Sequence, residues 1–467
     1  MLYPLDEVWT AQELAAVVGG RVQGDGARGV SVVAIDSREQ SPEGGLFAAI
    51  AGERVDGHSF LEGAAANGFR CMLVREGTAL PDGVTGVLCG DTQRALGDFA
   101  SAIRKRYAPR LVGVTGSVGK TTTKQMIGSV LSERFFTHMT DGNFNNQIGV
   151  PLTLLGLKKA HQAAVVEMGM SAKGEIARLS EIARPDIGVI TNIGSSHIEY
   201  LGSREGIRDA KMEIVTGMPA GAPLLLNGDE PLLAGIPGAS YISFENPDAE
   251  IAIGDFRSDA DGAVFDAEVF GRRMRALRIP AAGRHNVYNA AAAAGVGILM
   301  GVSEAEIRAG LEAFVNTGMR QRIRRIGAYT FIEDCYNAGP ESMQSALRVL
   351  RDLSARGSGI AVLGDMKELG SYSAALHRQV GEAAAEIGLR ALITFGEEAA
   401  AIADGAVGAG MCADDVVTVT DASHPEQAAA LLCGLLRPGD TALFKASRVM
   451  ALERVIEAAE AKIQERN

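Results

Sequence analysis

The sequence predicts an α/β protein of three domains: a small α/β unit, a central unit built on a parallel sheet, and a doubly wound unit at the carboxyl end. Three observations carry that reading. The chain has 467 residues, where single domains run to roughly 150. Short apolar runs of strand length alternate with helical patterns along most of it. Its 57 glycines are scattered, usually just after an apolar run or before a helical pattern, where α/β folds turn between strand and helix. No fixed-period repeat or low-complexity tract interrupts the alternation.

Taken in order, the first unit extends to about Tyr107 and holds the apolar runs Val30–Ile35 and Cys71–Val74, with no phosphate-type loop of its own. The second opens with the strand pattern Arg110–Val114, a Gly-rich turn and the helical run Thr121–Phe135. Strand-like runs follow at Ala163–Val166, Ile187–Thr191 and Pro223–Leu226, with helical patterns between them, so a parallel sheet is expected. Ala263–Ile279 reads as a hairpin, Val287–Met300 as an Ala-rich helix, and the basic stretch Arg320–Arg325 as a boundary. In the third unit Tyr329–Ile332, Ile360–Leu363, Ala391–Phe395 and Thr441–Phe444 each precede a helical pattern, the signature of a Rossmann-like doubly wound sheet. The expected domains are 1–107, 108–319 and 320–467.

Composition narrows the function. Hydrophobic residues make up 47% and charged residues 22%, which excludes disorder for most of the length. Forty-five Lys and Arg against 57 Asp and Glu give a formal net charge of −12. With no basic block and 5% aromatic residues, the chain lacks the footprint of a nucleic-acid or anionic-membrane binder, so an anionic ligand must be held by a local site. Cys71, Cys89, Cys335, Cys412 and Cys433 are widely spread and never form C-x-x-C, which suggests neither a disulfide framework nor zinc; they read as small buried hydrophobes. Met1–Thr10 carries Asp6 and Glu7 where a secretory signal would be basic. The longest apolar stretch, Ala290–Val302, falls short of the roughly 20 residues of a membrane span. A cytoplasmic protein with no membrane partner is expected.

The sharpest motif is Thr115-Gly116-Ser117-Val118-Gly119-Lys120-Thr121-Thr122, between a strand and a helix. Backbone N–H groups in such a turn, with the positive end of the helix dipole, form a nest for phosphate oxygens. Lys120 would neutralise the terminal phosphates and the Thr121 hydroxyl would ligate Mg²⁺. Val114 stands where the generic motif has its first Gly. Glu167 ends the next strand pattern, where an acid at the carboxyl edge of a parallel sheet can reach a metal beside the phosphates; alone it would read as a helix cap or a solvated acid. Thr191–His197 ends a further strand and places His197 on the same edge. Lys211, on a helical pattern, would by itself be a solvated charge, and His285, Asn286 and Asn289 the polar start of an Ala-rich helix.

Together these motifs, with Ala210-Lys211-x-Glu213-Ile214 and Gly283-Arg284-His285-Asn286-Val287-Tyr288-Asn289, appear in the order of one family. The chain resembles the ATP-dependent Mur ligases of peptidoglycan synthesis. The resemblance implies that Thr121 and Glu167 hold one Mg²⁺ on the ATP phosphates, that His197 helps hold a second, and that Lys211 is carbamylated by CO₂, contributing to the metal set. It also implies that His285, Asn286 and Asn289 face the nucleotide, with the amides on adenine edges. Arg320 would reach the phosphates from the domain boundary, and Asp334 and Asn337 would contribute from the third unit.

Asp36-Ser37-Arg38, Gly45-Leu46-Phe47-Ala48 and Asp56-Gly57-His58-x-Phe60 resemble the family's UDP-binding N-terminal domain, with Ser37 and Arg38 at the substrate and Arg38 able to fork onto a diphosphate. Gly142-Asn143-Phe144-Asn145-Asn146 resembles a substrate-contacting loop; turn chemistry is the other reading of Asn145 and Asn146. Asp334–Met343 and Leu363–Gly370 look like the branch that adds the final dipeptide, although Gly339 and Ala446 depart from it. No Asp-Asn-Pro-Arg motif of the third-residue ligase is present.

The resemblance then implies a monomer that joins D-alanyl-D-alanine to the terminal carboxylate of UDP-N-acetylmuramoyl-tripeptide through an acyl phosphate. ATP is expected between the second and third units, with hinges near Thr317–Arg320 and Tyr107–Leu111. Another Mur-type ligase and a sensor that binds UDP-muramoyl peptides without turnover stand as the alternatives.

Overall fold

The computed structural model describes residues 1–52, 55–316, 318–355 and 358–466. Thr317, in one expected hinge, lies outside them. The chain divides into two compact units: Met1–Thr115 with Arg134–Val189 and Met212–Leu224, and Gly116–Glu133 with Ile190–Lys211 and Leu225–Asn467.

In the first unit, β1 (Leu2–Thr10), β2 (Arg21–Gln23), β3 (Gly29–Ala34), β4 (Gly45–Ala48), β5 (Cys71–Arg75) and β6 (Thr85–Cys89) form a sheet in the order β1-β3-β4-β5-β6-β2. Its core gathers Phe47, Phe69, Met72, Val74 and Leu88. Next, β7 (Arg110–Thr115), β8 (Thr137–Met139), β9 (Ala163–Glu167) and β10 (Ile187–Ile190) run in the order β10-β7-β9-β8. All five residues of β9 are buried and all but the first of β7, the two-sided burial that a parallel sheet imposes and that unbroken apolar runs announce. The β7–β9 register sets Val114 opposite Glu167, so the acid stands at the carboxyl end of the strand beside the one that enters the Gly-rich turn. Val114 lies inside β7 and is fully buried; a packed side chain, not a glycine, is what that position uses.

Behind β9, His138 Nε2 lies 2.7 Å from the Thr153 carbonyl oxygen, and His161 Nδ1 accepts a 2.8 Å hydrogen bond from the Lys158 N–H. The two rings are 4.9 Å apart and Phe136 stacks on His161 at 4.5 Å. Burial pushes both imidazoles down, His161 to about 4, with His138 adding to the shift there. Below the ordinary histidine value near 6.5, the unfolded chain takes up protons that the folded unit refuses, so folding stability falls as the pH drops from about 6.5 toward about 4. Urea unfolding read by Trp9, the single tryptophan, should show a midpoint that declines over this range, and His161→Phe should flatten the decline.

In the second unit, β11 (Leu224–Asn227), β12 (Ala239–Ser243), β13 (Ile251–Asp259), β14 (Gly262–Val269) and β15 (Arg272–Ile279) run in the order β15-β14-β13-β12-β11. The expected hairpin is there, closed by Phe270 and Gly271, both at positive φ as a two-residue turn requires. It is joined by β13 into an antiparallel meander, so the strands of the central segment are mixed rather than parallel throughout. The reason is visible in β15, whose exposed arginines alternate with buried Met274, Leu277 and Ile279; a face left to water suits antiparallel pairing. The helix Arg284–Met300 is buried along most of its length, as its Ala run predicts.

The last sheet comprises β16 (Arg322–Ile326), β17 (Tyr329–Glu333), β18 (Gly359–Gly364), β19 (Ala391–Phe395), β20 (Val416–Val419) and β21 (Thr441–Lys445), ordered β16-β17-β21-β18-β19-β20. The β17–β21, β21–β18, β18–β19 and β19–β20 pairs are parallel, as a doubly wound sheet requires, and β16 is antiparallel to β17. Most of the basic stretch read as a boundary is therefore an edge strand: Arg324 pairs with Glu333 and Glu460, and such charges keep an open edge from recruiting other chains. Four of the cysteines are buried, but Cys412 is exposed, a correction that follows from its place in the turn before β20. No helix among the described residues is long and apolar enough to cross a membrane.

Candidate active site

The Gly-rich turn is held open by its neighbours in the second unit. Gly116 has φ +145°, and a Cβ there would stand 1.8 Å from Thr191 Oγ1. Thr191 Oγ1 donates to the Val118 carbonyl, Asn192 accepts from the Ser117 N–H at 3.1 Å and, through Oδ1, from the Val118 N–H at 2.9 Å, and Ser117 Oγ accepts from the Gly194 N–H at 2.8 Å. Lys120 Nζ donates 2.8 Å back to the Gly116 carbonyl, which sets its charge over the turn at the start of the helix Lys120–Ser132. That arrangement sets an ammonium over a Gly-rich turn at a helix start, the setting of an anion nest, with the Ser117 and Val118 N–H groups turned to Asn192. Gly116→Ala should close it: an ADP titration is expected to lose at least tenfold in affinity, because the added methyl must displace either Thr191 or the turn.

A chain of polar side chains continues from this helix. Thr123 Oγ1 donates to Asn289 Oδ1 at 3.0 Å, Asn289 Nδ2 to Asn286 Oδ1 at 3.2 Å, and Asn286 Nδ2 to Gln321 Oε1 at 2.6 Å. Both asparagines are buried, and their amides brace the start of the helix Arg284–Met300. His285 is half-buried; desolvation lowers its pKa and Asp334 opposes the shift. Asp334 Oδ1 accepts from the Gln321 N–H at 3.2 Å, and Oδ2 accepts from Lys445 Nζ at 2.6 Å, which also reaches the Asn337 carbonyl at 3.1 Å. The Arg320 guanidinium lies 3.6 Å from the Tyr336 ring centroid, a cation–π contact that fixes its plane.

Lys211 is buried and its pKa is driven well below the usual lysine value, first by desolvation and then by Lys120. A buried lysine held toward its neutral form is a nucleophilic amine. His197 sits at φ +64° with Nδ1 2.7 Å from Glu368 Oε2, itself at φ +65°. Nδ1 is shut off from water, and its contact holds the Glu368 carboxyl below the usual carboxylate range. Glu341 Oε1 accepts from Ser195 Oγ at 2.8 Å while its buried Oε2 has no partner. Among the described residues, no group of three or more His, Cys, Asp or Glu is gathered that could hold a metal unaided. The buried, unpartnered Glu341 Oε2 fits a cation that brings phosphate oxygens as its remaining ligands, as Mg²⁺ does.

In the first unit, Glu167 is buried and Oε1 accepts a 2.7 Å hydrogen bond from Asn145 Nδ2, while its N–H donates to Thr140 Oγ1. Thr115 Oγ1 donates to the Met168 carbonyl at 2.8 Å. Asn146 Oδ1 accepts from the Ile148 and Gly149 N–H groups, the turn chemistry that was the other reading of this residue. Arg38 is exposed and forked onto Asp36, and the Ser37 carbonyl accepts from Asn67. Gln321 escaped sequence reasoning because it lies inside a basic stretch with no motif; Glu341 and Lys445 were visible only as letters of longer motifs.

Three family models match in order: one described as the Mur ligase family catalytic domain over residues 29–109, the Mur ligase middle domain over 114–297, and the Mur ligase glutamate ligase domain over 320–448. The chain belongs to the Mur ligase family. Within that family it is 39% identical, over 91% of its length and 92% of theirs, to the UDP-N-acetylmuramoyl-tripeptide–D-alanyl-D-alanine ligase of Bacillus subtilis. A crystal structure of the Mur ligase MurF from Acinetobacter baumannii superposes with a TM-score of 0.90 at 31% identity, covering 98% of this chain and all of that one. MurF from Thermotoga maritima in complex with ADP gives 0.82 at 29% identity, with 93% of this chain and 98% of that one covered.

Proposed function

We propose that this Mur ligase joins D-alanyl-D-alanine to the terminal carboxylate of UDP-N-acetylmuramoyl-tripeptide at the expense of ATP. The observation that carries the reading is the anion nest of Gly116–Thr122 with Lys120 folded over it, in a chain whose likeness to dipeptide-adding ligases runs almost end to end. The domains are 1–107 for the UDP end of the substrate, 108–319 for ATP and 320–467, the Rossmann-like ligase domain. The enzyme is a cytoplasmic monomer.

The tripeptide carboxylate attacks the γ-phosphorus of ATP, ADP leaves, and an acyl phosphate forms. The free amine of D-alanyl-D-alanine then adds to the acyl carbon, and the tetrahedral adduct expels phosphate to leave an amide. A carboxylate approaching a polyanion needs concentrated positive charge, and Lys120 and Arg320 supply it from the protein; such preorganised electrostatics is usually the largest catalytic contribution. Thr121, Glu167, His197 and a carbamate on Lys211 would hold two Mg²⁺, which when bound screen the phosphate oxygens. A carbamate turns a cation that the fold disfavours into an oxygen-bearing anion, which fits the buried, depressed Lys211. His285, Asn286, Asn289, Asp334 and Asn337 serve the nucleotide, and Ser37, Arg38, Asn145 and Asn146 the UDP-linked substrate.

The test is phosphate release from ATP with UDP-N-acetylmuramoyl-tripeptide and, in turn, D-alanyl-D-alanine, single amino acids and no acceptor. Release only with the dipeptide is expected. Turnover with a single amino acid would move the chain to a neighbouring Mur ligase, and silence with every acceptor would overturn the catalytic reading.

A further inference from the structure

Gln321 occupies a left-handed backbone conformation, φ +48°, which a non-glycine residue adopts only where its surroundings hold it there. Three hydrogen bonds, beside a side-chain contact with His285, hold it there. Its side-chain oxygen accepts from Asn286 Nδ2 at 2.6 Å, its Nε2 donates to the Ala282 carbonyl at 2.9 Å, and its backbone N–H donates to Asp334 Oδ1 at 3.2 Å. On one side, Asn286 leads through Asn289 to Thr123 on the helix that follows the anion nest. On the other, Asp334 leads to Lys445 at the end of β21. One residue therefore joins a polar chain rooted at the nest to a polar chain rooted in the last sheet.

We propose that Gln321 is a positioning residue for nucleotide binding. It sets the spacing between Asn286 and Asp334 and, through Asn289, steadies the nest. The inference rests on the ATP-dependent reading of the site and adds to it a residue that touches neither phosphate nor substrate. Asn286 and Asn289 are buried, and an amide that loses its partner inside a protein is free to turn toward another. Without Gln321, Asn286 keeps its bonds to the Ala282 carbonyl and to Asn289, but its direction is no longer fixed from the Asp334 side.

The test is calorimetric titration of the full chain with ADP for wild type, Gln321→Met, Gln321→Glu, Asn286→Ala and the Asn286→Ala/Gln321→Met double variant, with urea unfolding of each. Methionine keeps the volume and removes the polar atoms; ADP affinity should fall about five- to thirtyfold, the range expected when one or two neutral hydrogen bonds are lost. Glutamate keeps the acceptor for Asn286 but gives up the donor to the Ala282 carbonyl, so its loss should be smaller than that of methionine. In the Asn286→Ala background, Gln321→Met should cost less than about twofold more, because the two side chains act as one unit. An unchanged ADP affinity in Gln321→Met, or losses that add fully in the double variant, would overturn the proposal while leaving the ligase reading intact. So would a lower urea midpoint without a change in affinity, which marks a merely structural role. A wild type that binds no ADP would overturn both.

Discussion

Lys120→Met is expected to lower kcat/KM for ATP by about three orders of magnitude while leaving the fold intact. Methionine keeps the unbranched stem along the helix start and removes only the ammonium, which in the resting structure lies over the nest 2.8 Å from the Gly116 carbonyl. Because charge grows on the transferred phosphoryl oxygens after binding, the loss should fall mainly on kcat, with ADP affinity reduced by a smaller factor. Steady-state phosphate release and an ADP titration on the same preparation separate the two. A loss confined to KM would mean that Lys120 serves binding alone.

Lys211→Met should have an opposite pair of effects. Burial drives this lysine far below its usual pKa, so in neutral solution the folded state either keeps a strained cation or gives up a proton that the unfolded chain retains; both cost stability. That cost grows smaller as the pH rises toward the ordinary lysine value. Methionine removes it, and the unfolding midpoint without Mg²⁺ should rise by about 2–5 °C. If Lys211 carries the proposed carbamate, ligase activity should fall at least a hundredfold, since the variant cannot form that anion. Wild type in CO₂-depleted buffer should lose activity and regain it with bicarbonate, whereas Lys211→Met responds to neither. A midpoint that falls along with activity would show that Lys211 supports the fold rather than the chemistry.

The parts legible in the sequence were those fixed by local pattern. Unbroken apolar runs located β7, β9, β18, β19 and β21, because strands buried on both faces leave no room for polar residues. β12, Ala239-Ser240-Tyr241-Ile242-Ser243, is only partly buried and forms no apolar run, and β16 was hidden by arginines that read as a boundary until Glu333 and Glu460 were seen to face them. For the site, chemistry was legible where a motif fixes the backbone, as at Gly116–Thr121. Partners were not. That Asn145 donates to Glu167, and that Asn286 and Asn289 spend their amides on one another and on Gln321 and Thr123, depends on contacts between residues distant in sequence, which no spacing rule encodes.

The uneven exposure of the cysteines gives the molecule a built-in attachment point. Burial pushes the Cys71 and Cys335 thiols up to about 12 and Cys89 to about 11, and Cys433 is also buried. Thiolate, the form that reacts with maleimides, is therefore scarce at Cys71, Cys89 and Cys335 near neutral pH, and burial shields Cys433 from the reagent. Cys412 alone is exposed, on the turn that leads into β20. A single dye or spin label can thus be placed at Cys412 on the unmodified sequence.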